Sequence, residues 1–121
     1  MKKLLLTAVA ALALTMGTVE AASKPKSVIH VVTVKWKAGT TPEQINAALK
    51  GAETVANSYS GIERVWTRAI KVQGAGYTHA IVMEFKDEAA LKNYTDSPAQ
   101  KEWYKVYLPI REQSTTHDIT N

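Results

Sequence analysis

The run from Val28 to Trp36 limits most strongly how this chain of 121 residues can fold. The run is dense in β-branched residues, and apolar side chains occupy both of its alternating faces. That pattern is typical of a central strand that is covered on each side. A second run, Tyr77 to Phe85, repeats it, with His79, Ile81, Met83 and Phe85 on one face and Ala80 and Val82 on the other. The two runs predict a sheet with two buried faces.

Local signals predict the remaining elements. Thr41 to Gln44 reads as a capping box with proline at the first helical position, so a helix follows it. Glu63 to Val72 alternates like a second strand. Asp87 can cap a short helix, and Ser97-Pro98 begins another. Gln113 to Thr120 is weakly β-prone and is assigned as a closing edge strand.

The resulting order, β-α-β-β-α-β, predicts the fold class and an assembly. It is the α+β, ferredoxin-like, split β-α-β arrangement, in which helices cover one face of an antiparallel sheet. In a monomer the other apolar face would stay in water, which soluble monomers rarely tolerate. Packing two such sheets face to face buries that surface. We therefore expect a homodimer, in the form of a dimeric α/β barrel.

The start of the chain has the features of a secretory signal. Two lysines follow Met1, an apolar run extends from Leu4 to Met16, and Val19 and Ala21 suit a small-residue cleavage site. The alternative is a membrane anchor, but the run is shorter than the roughly 18 residues that a spanning helix needs. We expect residues 1–21 to be removed and the protein to be periplasmic or secreted, without stable membrane association after cleavage.

The rest of the chain divides into a flexible lead-in over residues 22–27 and a single domain over residues 28–121. A net charge of +4 from scattered lysines and arginines does not form the basic stripe of a nucleic-acid-binding protein. The chain contains no cysteine, and it lacks phosphate-binding, dinucleotide-binding and zinc-ligand motifs. We predict no nucleic-acid partner, no cofactor and no metal.

Several ordered segments carry a resemblance to a known family. They are Val28 to Val32, Ser60-Gly61-Ile62, Gly76 to Ala80, Phe85-Lys86-Asp87, Leu91 to Tyr94 and Ser97-Pro98-Ala99. Together they resemble the stress-responsive dimeric α/β-barrel domain over nearly the whole mature chain. The resemblance implies the same dimeric, ferredoxin-like fold, whereas the functions of the family are mixed.

The resemblance also suggests candidate catalytic residues. By similarity to the polyketide-type cyclases on this fold, the catalytic histidines and tyrosine fall on His30, His79 and Tyr94. The general base of those cyclases is a histidine at the position of Gln100. Because an amide cannot accept a proton as an imidazole does, that particular cyclase chemistry is disfavoured here.

Two functional hypotheses of different class remain. The first is a homodimer that binds a small apolar ligand in a pocket between helices and sheet, with Trp66, Gln100 and Trp103 as contacts. The second is a cofactor-independent lyase, cyclase or oxygenase, in which His79 or His30 is the base and Tyr94 orients a carbonyl.

Structural interpretations stand beside these hypotheses. His30 can be a satisfied core histidine, and Tyr94 and Trp103 can be core aromatics. A metal site built from the three histidines is disfavoured because His30 and His79 lie near the starts of antiparallel strands. His117 and Asp118 are adjacent, so their side chains point to opposite faces of a strand.

Overall fold

The computed structural model describes residues 21–121. The predicted signal segment, apart from Ala21, therefore lies outside the described residues. The elements of the described part are β1 (Val28–Trp36), α1 (Pro42–Ser58), β2 (Ile62–Trp66), β3 (His79–Phe85), α2 (Glu88–Tyr94), α3 (Pro98–Tyr107), a 3-10 turn (Leu108–Ile110) and β4 (Arg111–Ile119). This order confirms the predicted β-α-β-β-α-β arrangement, with two short helices in the second helical region.

The described strands form an antiparallel sheet in the order β2-β3-β1-β4. The strand β1 is central, since it pairs with β3 along one edge and β4 along the other. Val32, for example, lies opposite Ile81 on β3 and Thr116 on β4. The predicted α+β, ferredoxin-like fold is thus confirmed, including the closing edge strand.

The two faces of the sheet have different surroundings. The face that carries Val34, Ile81 and Phe85 packs under the helices, and these three side chains are at most 1% exposed. We call the opposite face, which carries Val31, Trp66, Ala80 and Val82, the open face. On it Val31 and Val82 remain half-buried and Trp66 is 47% exposed.

The predicted helix starts are confirmed by their caps. The Thr41 hydroxyl accepts a hydrogen bond from the backbone N–H of Gln44 at 3.2 Å, and the Gln44 side chain accepts from the N–H of Thr41 at 2.9 Å. The Asp87 carboxylate accepts from the N–H of Ala90 at 2.8 Å, and Ser97 caps α3. Within residues 21–121, no helix combines the length and apolarity needed to cross a membrane.

The second strand is shorter than the sequence predicted. A strand was expected over residues 63–72, but the ladder between β2 and β3 ends at the pair of Trp66 with Val82. Residues 67–78 form an irregular connection, in which Ile70 is 95% exposed. The alternation in this stretch is therefore not matched by a neighbouring strand that could supply ladder hydrogen bonds.

The lead-in over residues 22–27 contacts the end of the chain. The Asn121 side-chain amide donates to the carbonyl oxygen of Pro25 at 2.7 Å. The Thr120 hydroxyl donates to the carbonyl oxygen of Ser27 at 2.8 Å. These bonds lie just beyond the β1–β4 ladder and join the two ends of the domain.

A close approach between α1 and α3 depends on Gly51. The Trp103 indole N–H donates to the carbonyl oxygen of Ala48 at 2.8 Å, and its ring stacks on Tyr107 with centroids 4.5 Å apart. A Cβ atom at Gly51 would lie 2.6 Å from Cδ1 of Trp103. Because the indole is held on both sides, it has little freedom to move away.

We expect Gly51→Ala to destabilise the domain. At a helix position with free space around the new methyl group, replacing glycine by alanine would stabilise the protein by roughly 0.5–1 kcal/mol. Here overpacking against Trp103 should reverse the sign and lower the free energy of unfolding by about 1–3 kcal/mol. Urea unfolding measures the difference. The control Asn57→Ala, on the exposed side of the same helix, should not destabilise. A Gly51→Ala variant as stable as the wild type would contradict the close packing.

Candidate functional site

A small pocket lies between the helix-covered face of the sheet and helices α2 and α3. Its volume is about 90 Å³. It is lined by His30, Val32, Leu91, Tyr94, Thr95, Gln100, Trp103, Tyr104, Tyr107, Arg111, Ser114 and Thr116. Among these residues only Val32 and Leu91 lack a polar side-chain atom. The lining thus favours a polar ligand over the apolar ligand that the sequence suggested.

His30 and Asp118 form a hydrogen-bonded pair at this pocket. They lie directly opposite each other on β1 and β4, and Nδ1 of His30 is 2.5 Å from Oδ1 of Asp118. The side chains are 18% and 44% exposed, and His30 lines the pocket while Asp118 lies outside its lining. A carboxylate can only accept hydrogen bonds, so in the neutral imidazole Nδ1 carries the hydrogen and Nε2 has the lone pair. No hydrogen bond to this Nε2 occurs within residues 21–121.

The pocket contains two buried tyrosine hydroxyls without a protein partner. Tyr94 and Tyr107 are each 2% exposed, and neither hydroxyl is hydrogen-bonded within the described part of the chain. Burial raises the pKa of both side chains above the usual range. Both phenols therefore stay protonated near neutral pH and can donate to an oxygen atom of a bound molecule.

Gln100 lines the pocket, but both the oxygen and the nitrogen of its side-chain amide form hydrogen bonds within the protein. Its Oε1 accepts from the backbone N–H of Asp96 at 2.8 Å, and its Nε2 donates to the Tyr104 hydroxyl at 3.1 Å. Asp96 has a positive φ of 63°, so this bond holds a rarely adopted backbone conformation. Gln100 therefore supports the end of α2 and orients one phenol of the lining.

The two predicted tryptophan contacts lie in different places. Trp103 lines the pocket with its ring, while its indole N–H is bound to the carbonyl oxygen of Ala48. Trp66 lies on the open face, opposite Val82. The structure therefore brings together His30, Tyr94, Gln100 and Trp103 at one pocket and separates Trp66 from them.

His79 lies on the same sheet face as His30 but away from the pocket. It is opposite Val34, four positions along β1 from His30, which corresponds to about 13 Å of strand. Its Nδ1 accepts from Nε1 of Trp36 at 2.9 Å and lies 2.8 Å from the Thr78 hydroxyl. The indole donates into the lone pair that a base needs, so this geometry favours His30 over His79 as a proton acceptor.

His117 is separated from both other histidines. It pairs with Val31 on β1 and therefore belongs to the open face. Among residues 21–121, no three histidine, aspartate or glutamate side chains cluster as a metal site would require. Asp118, its neighbour in sequence, faces the pocket side with His30.

Sequence reasoning missed the contributions of Asp118 and Arg111 to the site. Alternation along a strand predicts that the Asp118 and His117 side chains point to opposite faces. It does not predict which residue of a neighbouring strand contacts Asp118. That contact spans 88 positions of sequence and depends on the register of β4 against β1. Arg111 reaches the pocket through a register irregularity between Lys35 and Trp36, which alternation alone cannot reveal.

We expect His79 to make the domain less stable in acid. Burial lowers the pKa of its imidazole below the ordinary value, which is about 6.5 in an unfolded chain. Below that pH the unfolded state binds a proton that the folded state resists, so the free energy of unfolding falls as the pH is lowered from 7 to 5.

The variant His79→Asn provides the matched control, because its amide oxygen can still accept from Trp36. Its loss of stability between pH 7 and pH 5 should be smaller than that of the wild type in urea unfolding. A His79 titration by NMR with a midpoint at or above about 6.5 would contradict the prediction.

Comparison with known proteins gives one related protein by sequence. The stress-response A/B barrel domain-containing protein HS1 of Arabidopsis thaliana is 28% identical over 82 residues, which cover 65% of this chain and 75% of that protein. The name of that protein refers to the same domain family that this sequence resembles.

Solved structures show the same fold. A dimeric protein of unknown function and ferredoxin-like fold from Bacteroides fragilis superposes with a TM-score of 0.69 at 18% identity, covering 82% of this chain and all of that one. A hydroxynitrile lyase from Passiflora edulis superposes with a TM-score of 0.70 at 21% identity, covering 78% and 93%.

The family follows from a match to the whole domain. Residues 28–121 match the sequence profile described as the stress responsive A/B barrel domain. This range begins with β1 and includes every strand and helix described above. The chain therefore belongs to the stress-responsive A/B barrel domain family.

Proposed function

We propose that this protein binds a small molecule with a hydroxyl or carbonyl oxygen in the pocket, and that His30 transfers a proton to or from it. The observation that carries the proposal is the pair of His30, which lines the pocket, with Asp118. A histidine with one nitrogen bound to a carboxylate and the other available is the arrangement used for general acid–base catalysis.

A cofactor-independent lyase reaction fits this arrangement. Nε2 of His30 accepts the proton of a substrate hydroxyl while the C–O bond becomes a carbonyl and the adjacent C–C bond breaks. The electron pair of that bond leaves on the departing carbon, which takes the proton from the imidazolium. Asp118 stabilises the imidazolium between these steps, and Tyr94 donates a hydrogen bond to the substrate oxygen.

The structural likeness to the Passiflora hydroxynitrile lyase agrees with this reaction class. At 21% identity the likeness concerns the fold, so the pocket of this chain carries the proposal. The volume of about 90 Å³ is well below the 300–1,000 Å³ of pockets for drug-sized ligands. The substrate should therefore be small, which disfavours cyclisation of a long polyketone.

Binding without turnover is the second candidate. It is favoured by the amide of Gln100, whose two ends are bound within the protein at the position where the related cyclases carry their base. The ligand would then accept hydrogen bonds from Tyr94 and Tyr107, and His30 would serve as a further polar contact.

We expect His30→Ala to lower the turnover rate strongly and His79→Ala to retain it. The assay incubates the protein with a panel of small 2-hydroxy nitriles and 3-hydroxy ketones and follows carbonyl formation by NMR. Loss of a general base should lower kcat by about 10²- to 10⁴-fold. Asp118→Asn should lower kcat and change its pH profile, because it alters how the imidazole is held.

The same panel separates the two candidates. Turnover that survives His30→Ala would overturn the assignment of His30. Saturable binding of a panel member without any turnover would favour the ligand-binding candidate. The absence of both would reject the pocket as a functional site.

We also propose that the open face is the interface of a homodimer. Val31 and Val82 are half-buried there and Trp66 is 47% exposed, so pairing two open faces removes apolar surface from water. The Bacteroides protein of the same fold is described as dimeric, which supports the proposal.

We expect Val82→Lys to shift the protein toward monomer. A lysine at this position would bring two positive charges into the interface, one from each copy, at a high desolvation cost. The control Ala47→Lys adds the same charge at an exposed position of α1 and should remain dimeric. Sedimentation or light scattering measures the mass. A wild-type monomer at micromolar concentration, or a dimeric Val82→Lys variant, would contradict the assignment.

Export remains part of the proposal. The basic, apolar and small-residue parts of residues 1–21 support cleavage after Ala21 and a periplasmic or secreted location. N-terminal sequencing of the protein purified from its native cells should begin at Ala22. A sequence that begins at Met1 would reject cleavage.

A further inference from the structure

A bulge in β4 determines which charged residue faces the pocket. Lys35 pairs with Gln113, but Trp36 pairs with Arg111, so one extra residue, Glu112, is inserted in β4. In a regular ladder Glu112 would lie opposite Trp36 and share the pocket face. The bulge instead brings Arg111 to that face, and bulges often redirect a side chain beside a functional site.

Because Arg111 takes the place of Glu112 on the pocket face, the charge on this face is positive instead of negative. Glu112 lies outside it, with one Oε atom 3.3 Å from Nζ of Lys35. Arg111 lines the pocket, and within residues 21–121 it makes no ion pair. Its guanidinium lies over the Tyr107 ring, with Cζ 5.5 Å from the centroid. No acidic side chain is among the residues that line this pocket.

Two acidic side chains beside this pocket, Asp118 and Asp96, form no ion pair with Arg111. Asp118 is bound to His30. Asp96 lies near Tyr104, whose pKa is raised mainly by burial, lowered by the charge of Arg111 and raised to a smaller extent by Asp96. The Arg111 guanidinium thus has no carboxylate partner in the described part of the chain, and its N–H groups can donate to a bound molecule.

The unpartnered hydroxyls are an independent sign of a ligand. Tyr94 and Tyr107 are 2% exposed, line the same cavity as Arg111 and have no hydrogen-bond partner in the described part of the chain. Burying a polar group without a partner costs about 1–3 kcal/mol. A bound anion would accept from these hydroxyls and would face the guanidinium at the same time.

We infer that the ligand or substrate of this pocket is a short-chain carboxylate, held through its carboxylate group by Arg111 and the buried tyrosine hydroxyls. This inference rests on the proposed function, since it names the class of molecule that the pocket takes. Arginine suits the role because its two N–H groups match the two oxygens of a carboxylate.

The spacing of the charged groups limits where the carboxylate stands in the molecule. His30 and Trp36, the partner of Arg111, are six positions apart on β1, so the backbones of His30 and Arg111 lie at different ends of the pocket that both side chains line. The carboxylate and the oxygen that meets His30 therefore belong to different ends of the ligand. The volume of about 90 Å³ admits only a small molecule, so the chain between them is short.

The test compares two molecules of nearly equal shape, pentanoate and pentanamide. Each is titrated into the full mature protein at constant ionic strength and neutral pH, and binding is followed through the NMR signals of the arginine N–H groups and the protein backbone. We expect pentanoate to bind at least about tenfold more tightly, as a charge-assisted hydrogen bond implies, and to shift the Arg111 signal.

Variants test whether Arg111 causes the preference for pentanoate over pentanamide. Arg111→Gln should bind the two molecules alike. The control Arg68→Gln removes the same charge from an exposed position of the β2–β3 connection and should keep the preference. If Arg111→Gln fails to fold, Arg111→Lys retains the charge without the two-pronged geometry and should reduce the preference. A preference unchanged in both Arg111 variants would overturn the inference.

The outcomes separate this inference from the proposed function. Equal binding of pentanoate and pentanamide to the wild type would overturn the carboxylate inference and leave the pocket as a site for neutral polar molecules. Binding of neither molecule, nor of any 2-hydroxy nitrile or 3-hydroxy ketone from the turnover assay, would overturn both.

Discussion

The position of β1 between two antiparallel partners is the constraint on which the rest of the domain depends. Its ladders with β3 and β4 satisfy the backbone on both edges, and its alternating residues then face two different environments. Val28, Val32 and Val34 enter the helix-covered core. Val31 and Thr33 stay on the open face. His30 is the polar exception on the core side, and it is satisfied because the register places Asp118 beside it.

Some polar side-chain atoms inside the domain form hydrogen bonds within the protein, and others have no partner there. The indole of Trp103 and the amide of Gln100 each bond to the protein itself, so they fix the positions of α1, α2 and α3. The hydroxyls of Tyr94 and Tyr107 do not. Leaving buried donors unpaired lowers stability, and they lie together at one cavity. This distribution is typical of a site in which a bound molecule completes the hydrogen bonding.

Much of the fold could be predicted because its signals are local. The helix caps, the alternation of the first and third strands and the apolar surface of the sheet each depend on residues close in sequence. The second strand was predicted too long because alternation was read without a partner strand beyond Trp66. The histidines illustrate the same limit. His30 and His79 look alike in sequence, but one meets a carboxylate 88 positions away and the other an indole 43 positions away.

The closing strand shows why the weakest sequence signal can carry the most chemistry. The strand β4 has few apolar residues and only two half-buried positions, Arg111 and Ser114, since it adds little to the core. It is weakly β-prone because its pocket side is polar, with Ser114, Thr116 and Asp118 in alternation and Arg111 added by the bulge. Hydrophobic patterning detects strands through the core that they bury. The inner face of β4 lines a polar pocket, so the strand lacks the apolar residues that hydrophobic patterning detects. The polar side chains that replace them are the ones that can bind a ligand and transfer protons.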